Sequence, residues 1–123
     1  MENVQDARAI ANQVEDFFAQ VDRRVEIDSD NWVVIKRLTF GETKKSLELA
    51  MKQIPGSNEL VFDQGIIQME QMVSSIVSWE GPGFGGRPVS RENILALPSY
   101  VGDLIASEIS DLNAPVSDDE KKE

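Results

Sequence analysis

The chain has 123 residues, 41% of them apolar, with a mean hydropathy of -0.29; this fits one globular domain and leaves no run near the ~20 apolar residues of a membrane span. It contains neither cysteine nor histidine, which excludes disulfides, thiolate or ordinary zinc sites, a cysteine nucleophile and a Ser-His-Asp triad. Twelve basic against 22 acidic residues give a net charge of -10, a balance that repels phosphate backbones and disfavours nucleic acid as a partner.

Residues 3 to 21 predict an amphipathic helix. Val4, Ala7, Ala11, Val14, Phe18 and Val21 recur at alternating spacings of three and four, flanked by Ile10 and Phe17. Asn3 can cap it, and Glu2 and Asp6 sit where the helix dipole favours negative charge. The same acidic start, without a basic stretch and an apolar run, does not read as a secretory leader. The stripe either packs on the chain's own core or docks in a partner's groove.

From Arg24 to Leu38 the period changes to two. Val25 and Ile27 alternate with polar residues, Asp28-Ser29-Asp30-Asn31 supplies turn chemistry, and Trp32-Val33-Val34-Ile35 is a β-branched run, so the segment predicts a β-hairpin. The aspartates do not read as a calcium loop, because neither the required glycine nor a closing bidentate glutamate follows.

Thr39 with Glu42 three residues on has capping-box spacing and opens a helix. Leu47, Ala50, Met51 and Ile54 mark its expected buried face, and Pro55-Gly56 ends it. Asn58 to Phe62 is a short apolar segment of either type. Ile66, Met69, Val73 and Ile76, with Met72 and Trp79 beside them, then predict one helical run that stops at Trp79.

Gly81, Gly83 and Gly86 satisfy a G-x-G-x-x-G pattern, yet a helix is expected before it and Arg87-Pro88 follows, so it lacks the strand-to-helix context that binds a pyrophosphate. The stretch reads as a flexible connector with Phe84 and Arg87 at its tip as candidate contacts, unless Phe84 folds back onto the core. Ser90 caps a short helix carrying Ile94, Leu95 and Leu97. After Pro98, Tyr100, Val101, Leu104, Ile105, Ile109 and Leu112 form the last amphipathic helix, where Gly102 hints at close packing.

Together these elements predict a helix-rich α+β fold: an N-terminal amphipathic helix over 1–22, then a core over 23–113 of a β-hairpin and three to four packed helices. A disordered charged tail is expected over 114–123. No carboxylate pair or Ser-Lys spacing presents itself for catalysis, so no catalytic, metal or cofactor residues are assigned and a non-enzymatic binding protein is expected. The candidate partner-binding residues are Val4, Ala7, Ala11, Val14 and Phe18 of the stripe, then Phe84 and Arg87.

Two segments carry a family resemblance. One is Trp32-Val33-Val34-Ile35-Lys36-Arg37-Leu38-Thr39-Phe40-Gly41-Glu42, a strand running into Leu-Thr-Phe-Gly and a helix. The other joins Ile76-Val77-Ser78-Trp79 through the glycine loop to Arg87-Pro88-Val89-Ser90-Arg91-Glu92-Asn93-Ile94 and Leu97-Pro98. Residues 25 to 112 thereby resemble the tail assembly chaperones of long-tailed (siphovirus-type) bacteriophages. The resemblance implies a small protein of the host bacterial cytoplasm that binds the tape measure protein, assists tail tube subunits and is absent from the mature virion. It also implies a longer product made by ribosomal frameshifting, and the adjacent Lys121-Lys122 can be encoded as an adenine-rich slippery heptamer, so a slippery site is expected at those codons. The alternative is a structural virion component, such as a tail or head-tail connector protein.

Overall fold

The structure is a computed structural model that describes residues 16–115. The expected stripe residues Val4, Ala7, Ala11 and Val14 and the tail from 116 lie outside them.

The chain enters through a turn, not a helix. The Asp16 carboxylate accepts the Phe18 amide at 3.0 Å, a local bond that competes with helical pairing, and the Val21 carbonyl then accepts the Arg37 amide at 2.8 Å. The helix expected as far as Val21 therefore does not cover residues 16–21, and Asp22 already belongs to a strand. Strands β1 (Asp22–Glu26) and β2 (Trp32–Lys36) form the expected antiparallel hairpin. Asp28 accepts the amides of Asp30 and Asn31, each at 2.9 Å, so its carboxylate is used up by the turn itself.

Helix α1 (Phe40–Ala50) starts with a complete capping box: Thr39 Oγ1 accepts the Glu42 amide at 3.1 Å, and Glu42 Oε1 accepts the Thr39 amide at 2.9 Å. It ends four residues before the expected stop. Pro55 has no N–H and its ring would clash with the carbonyl of residue 51, so no helix can run through this point. Met51–Gln53 instead forms β3, paired antiparallel with β4 (Leu60–Phe62), and Gly56 turns the ribbon at a φ of 80°. Of the expected buried face, Ala50 is buried as expected and Ser46 joins it, while Leu47, Met51 and Ile54 are exposed.

Helix α2 (Gln64–Ser75) is capped by Asp63, which accepts the Ile66 amide at 3.1 Å. The run expected to stay helical to Trp79 breaks after Ser75, and Ile76–Glu80 is β5, antiparallel to β2. The sheet order is β1-β2-β5. A register shift between Val34 and Ile35 leaves Val77 as an extra, exposed residue, so Ile76 and Trp79, three apart, both point inward. A 3-10 turn (Pro82–Phe84), α3 (Arg91–Leu95, capped by Ser90) and α4 (Ser99–Asn113) complete the fold. The α+β, helix-rich class is as expected, with a third sheet strand and a separate ribbon added.

Helix α4 supplies Val101, Ile105, Ile109 and Leu112 to a core shared with Val25, Val33, Ile35, Met72, Ile76, Trp79, Phe84 and Ile94. Polar ties fix its position. Arg23 Nη1 lies 3.1 Å from Glu108 and 2.7 Å from Asp111, and Asn113 Oδ1 accepts the Leu38 amide at 2.8 Å. Ser75, fully buried, donates its hydroxyl to the Lys36 carbonyl at 2.7 Å. Leu95 and Tyr100, both counted among the expected apolar positions of their helices, are exposed. No helix among the described residues is long and apolar enough to cross a membrane.

Gly102 contradicts the expectation of close packing, since a Cβ built there meets nothing within 4 Å. Gly102→Ala should therefore gain about 1 kcal/mol of stability through helix propensity, read as a higher urea midpoint at unchanged slope.

Acid should destabilise the fold through paired carboxylates. The bond from Arg91 outweighs burial and holds Glu70 below its ordinary 4.5. Burial pushes Glu42 up, but the Thr39 amide and Lys36 together bring it below 4.5. A folded pKa below the unfolded one gives stability that is fully present above the unfolded value and lost as pH falls through the folded value. The thermal midpoint should hold from neutrality to about pH 5 and fall beneath it; Glu70→Gln should lie below wild type at about pH 7 and converge with it at about pH 3.

Candidate protein-binding site

The turn at Asp16 and the N-terminus of α1 place three phenylalanines together on the surface. Phe18 is 96% exposed, and Phe17 and Phe40 are each 83% exposed. Phe40 is the first residue of α1, where a side chain has no preceding turn to lie on, and the capping box fixes that end of the helix. Between them and the end of β2 lies a cleft of about 510 Å3, with Phe17, Phe18, Leu38 and Phe40 among its walls. It adjoins a hollow of about 490 Å3 that shares Leu38, Thr39 and Phe40 and reaches Gln71, Ile109 and Asn113.

The rim is basic in an acidic molecule. Lys36 and Arg37 line the cleft, and Lys44 stands 5.9 Å from the centre of the Phe40 ring, within cation–π range. Lys36 Nζ also lies 3.2 Å from Glu42 Oε2, which ties the end of β2 to the first turn of α1. Among the described residues, the carboxylates with a displaced pKa, Asp28, Glu42, Asp63 and Glu70, are lowered by turn, cap or ion-pair partners. The arrangement suits recognition of an apolar segment.

The glycine loop is a packed joint and not a flexible connector. Phe84 is only 8% exposed and stacks on Trp79 with ring centroids 4.8 Å apart and planes 7° from parallel. Trp79 Nε1 donates to the Arg87 carbonyl at 2.6 Å. Gly81 and Gly83 lie against the hairpin turn, where added Cβ atoms would come within 2.3 Å and 2.8 Å of Asn31 Oδ1. Asn31 in turn accepts the Gly83 amide at 2.7 Å. These glycines are needed for close approach of two backbones.

Of the expected contacts, Phe18 is on display and Arg87 is exposed, its guanidinium reaching back to the Phe84 carbonyl at 3.5 Å. Phe84 is withdrawn into the core and is no longer a contact, while Val4, Ala7, Ala11 and Val14 lie outside the described residues. Arg87 lines a hollow with Trp79 and Phe84, whereas Phe18 shares a cleft with Phe17 and Phe40. Phe40 was missed; its signal is an aromatic directly after a capping threonine. Also missed were Leu60, Val61 and Phe62, signalled by three consecutive large apolar residues in a segment too short to bury them.

No family model, no curated protein and no solved structure matches this chain.

The two phenylalanine sites separate by substitution. Phe84→Ala should cost about 3 kcal/mol of stability as a buried aromatic truncation, whereas Phe18→Ser should stay within about 0.5 kcal/mol of wild type, both read by urea unfolding.

Proposed function

We propose that the protein is a non-enzymatic assembly chaperone of the phage tail type. It holds apolar helical segments of the tape measure protein at the Phe17, Phe18 and Phe40 cleft and assists tail tube subunits in the host cytoplasm. The observation that carries this reading is three almost fully exposed phenylalanines converging on one cleft, because a lone domain has no use for such a patch and a binder does. The basic rim supports it as well. An amphipathic helix can lay apolar residues on the rings and an acidic one near Lys44, while the chain's net charge of -10 opposes indiscriminate association.

Co-expression tests the proposal. The tape measure protein should stay in solution with the wild-type chain and be recovered with it. The variant Phe17→Ser, Phe18→Ser, Phe40→Ser should retain its circular dichroism and lose affinity about tenfold or more. Unchanged recovery with that variant would remove the cleft from the account. Finding the chain in purified virions by mass spectrometry would point to a structural component instead.

A further inference from the structure

The cleft at Phe17, Phe18 and Phe40 does not end at its aromatic walls. The hollow beside it continues into a third, of about 300 Å3, with which it shares Gln71, Ile109 and Ser110. Together the three form one groove. It starts at the turn after Asp16, crosses the N-terminus of α1 and runs between α2 and α4 as far as Gln64 and Ala106. From Asn113 back to Ala106 it follows α4 for about 10 Å at the helical rise of ~1.5 Å per residue. Among the described residues no carboxylate lines it, in a chain that has 22.

We propose that the stripe over 4–14 of the same chain occupies this groove and covers the phenylalanines until a partner displaces it. The inference rests on reading the cleft as a binding site, and three observations select the occupant. The first is attachment. Phe17 and Phe18 wall the cleft and stand just after the stripe, and the Ala19 amide on the Asp16 carbonyl at 3.2 Å closes a turn between them and β1. A segment on so short a tether is present at the groove at an effective concentration on the order of millimolar, which a free ligand at micromolar concentration does not match. The second is length. At helical rise the stripe spans about 15 Å, enough for the α4 part of the groove and the step into the cleft.

The third is charge. Residues 1–15 carry Glu2, Asp6 and Glu15 against Arg8, so their side chains are net negative. The charged walls of the groove are Lys36 and Arg37, and Lys44 stands beside Phe40. Segment and groove are therefore complementary within a chain that is acidic as a whole. The residues from 116 also start beside the groove, after Ala114, but they offer Val116 as their one apolar side chain and add Asp118, Asp119, Glu120 and Glu123. They do not supply a cover for three phenylalanines. With the stripe in place, the apparent affinity of the cleft falls by the fraction of chains in which it is open, and a partner helix must compete for the rings.

Crosslinking in the full chain tests the placement, because the sequence has no cysteine of its own. A short bismaleimide should join Ala11→Cys to Ser110→Cys, on the groove wall, within one chain. It should do so about tenfold faster or more than it joins Ala11→Cys to Ser29→Cys. Ser29 is exposed in the turn of the β1–β2 hairpin, at the end away from the cleft. The dye anilinonaphthalene sulfonate reads the cover independently. Val4→Asp with Ile10→Asp and Val14→Asp should raise its fluorescence about fivefold or more over wild type, with the near-ultraviolet circular dichroism of the tryptophans unchanged. Adding Phe17→Ser, Phe18→Ser and Phe40→Ser should remove the rise. Equal linking rates, links only between copies, wild-type fluorescence in the stripe variant, or a rise that survives loss of the phenylalanines would each overturn the proposal. Linking at Ser110 without capture of the tape measure protein would support the cover and remove that partner, whereas capture with equal linking rates would do the reverse, so this inference and the cleft reading fail separately.

Discussion

The constraint on which the fold depends is that β2 has two edges to satisfy. Val33 and Ile35 on one of its faces are fully buried, and backbone groups beside them that found no partner would each cost a few kcal/mol. The hairpin covers one edge with β1. The other must be covered by a segment distant in sequence, and this is why the chain leaves α2 at Ser75 and becomes a strand. Trp79 is thereby placed opposite Val33. Once there, its ring needs a cover and its indole N–H needs an acceptor, which Phe84 and the Arg87 carbonyl provide. The glycines of the loop follow from the same placement, because the path from β5 to the Phe84 stack passes against Asn31 at the tip of the hairpin. Strand pairing, aromatic stack and loop composition are consequences of one unsatisfied edge.

Much of this was legible wherever the information is local. The capping box at Thr39 and Glu42, the turn built on Asp28, the Ser90 cap and the buried stripe of α4 all depend on residues within four positions of one another. Spacing reads such features directly. The failures lie where a distant partner decides. Ile76-Val77-Ser78-Trp79 fits a helical period as well as a bulged strand, and only the free edge of β2 chooses between them. Met51 and Ile54 extend the apparent face of α1, but their place is set by Pro55 and by pairing with β4. Gly102 was read as a contact because a glycine in a helix needs a reason, and here the space around it is open.

The candidate site was legible in part for the same cause. Phe18 was singled out as a member of the N-terminal apolar stripe, although the helix expected to carry it does not cover residues 16–21. Phe40 becomes meaningful only when the return of β2 sets it beside the incoming chain, 22 residues away from Phe18. Phe84 illustrates the converse error. An aromatic among glycines looks like a presented side chain, yet the glycines are there to let the backbone fold tightly enough to hide it.

Part of the exposed apolar surface originates in α1. This helix turns its small residues, Ser46 and Ala50, toward the interior, so its core-facing stripe contributes little apolar burial. Its large apolar residues, Phe40, Leu47 and Leu49, point outward instead. Covering each such side chain is worth about 1.5–3 kcal/mol, a gain that folding leaves uncollected and that association can supply. The two ends of the helix divide that role, with the aromatic cleft at its N-terminus and the ribbon at its C-terminus. At 1.5 Å per residue, 11 residues separate them by about 16 Å. A helix with its amphipathicity reversed in this way leaves apolar surface that the described residues do not cover.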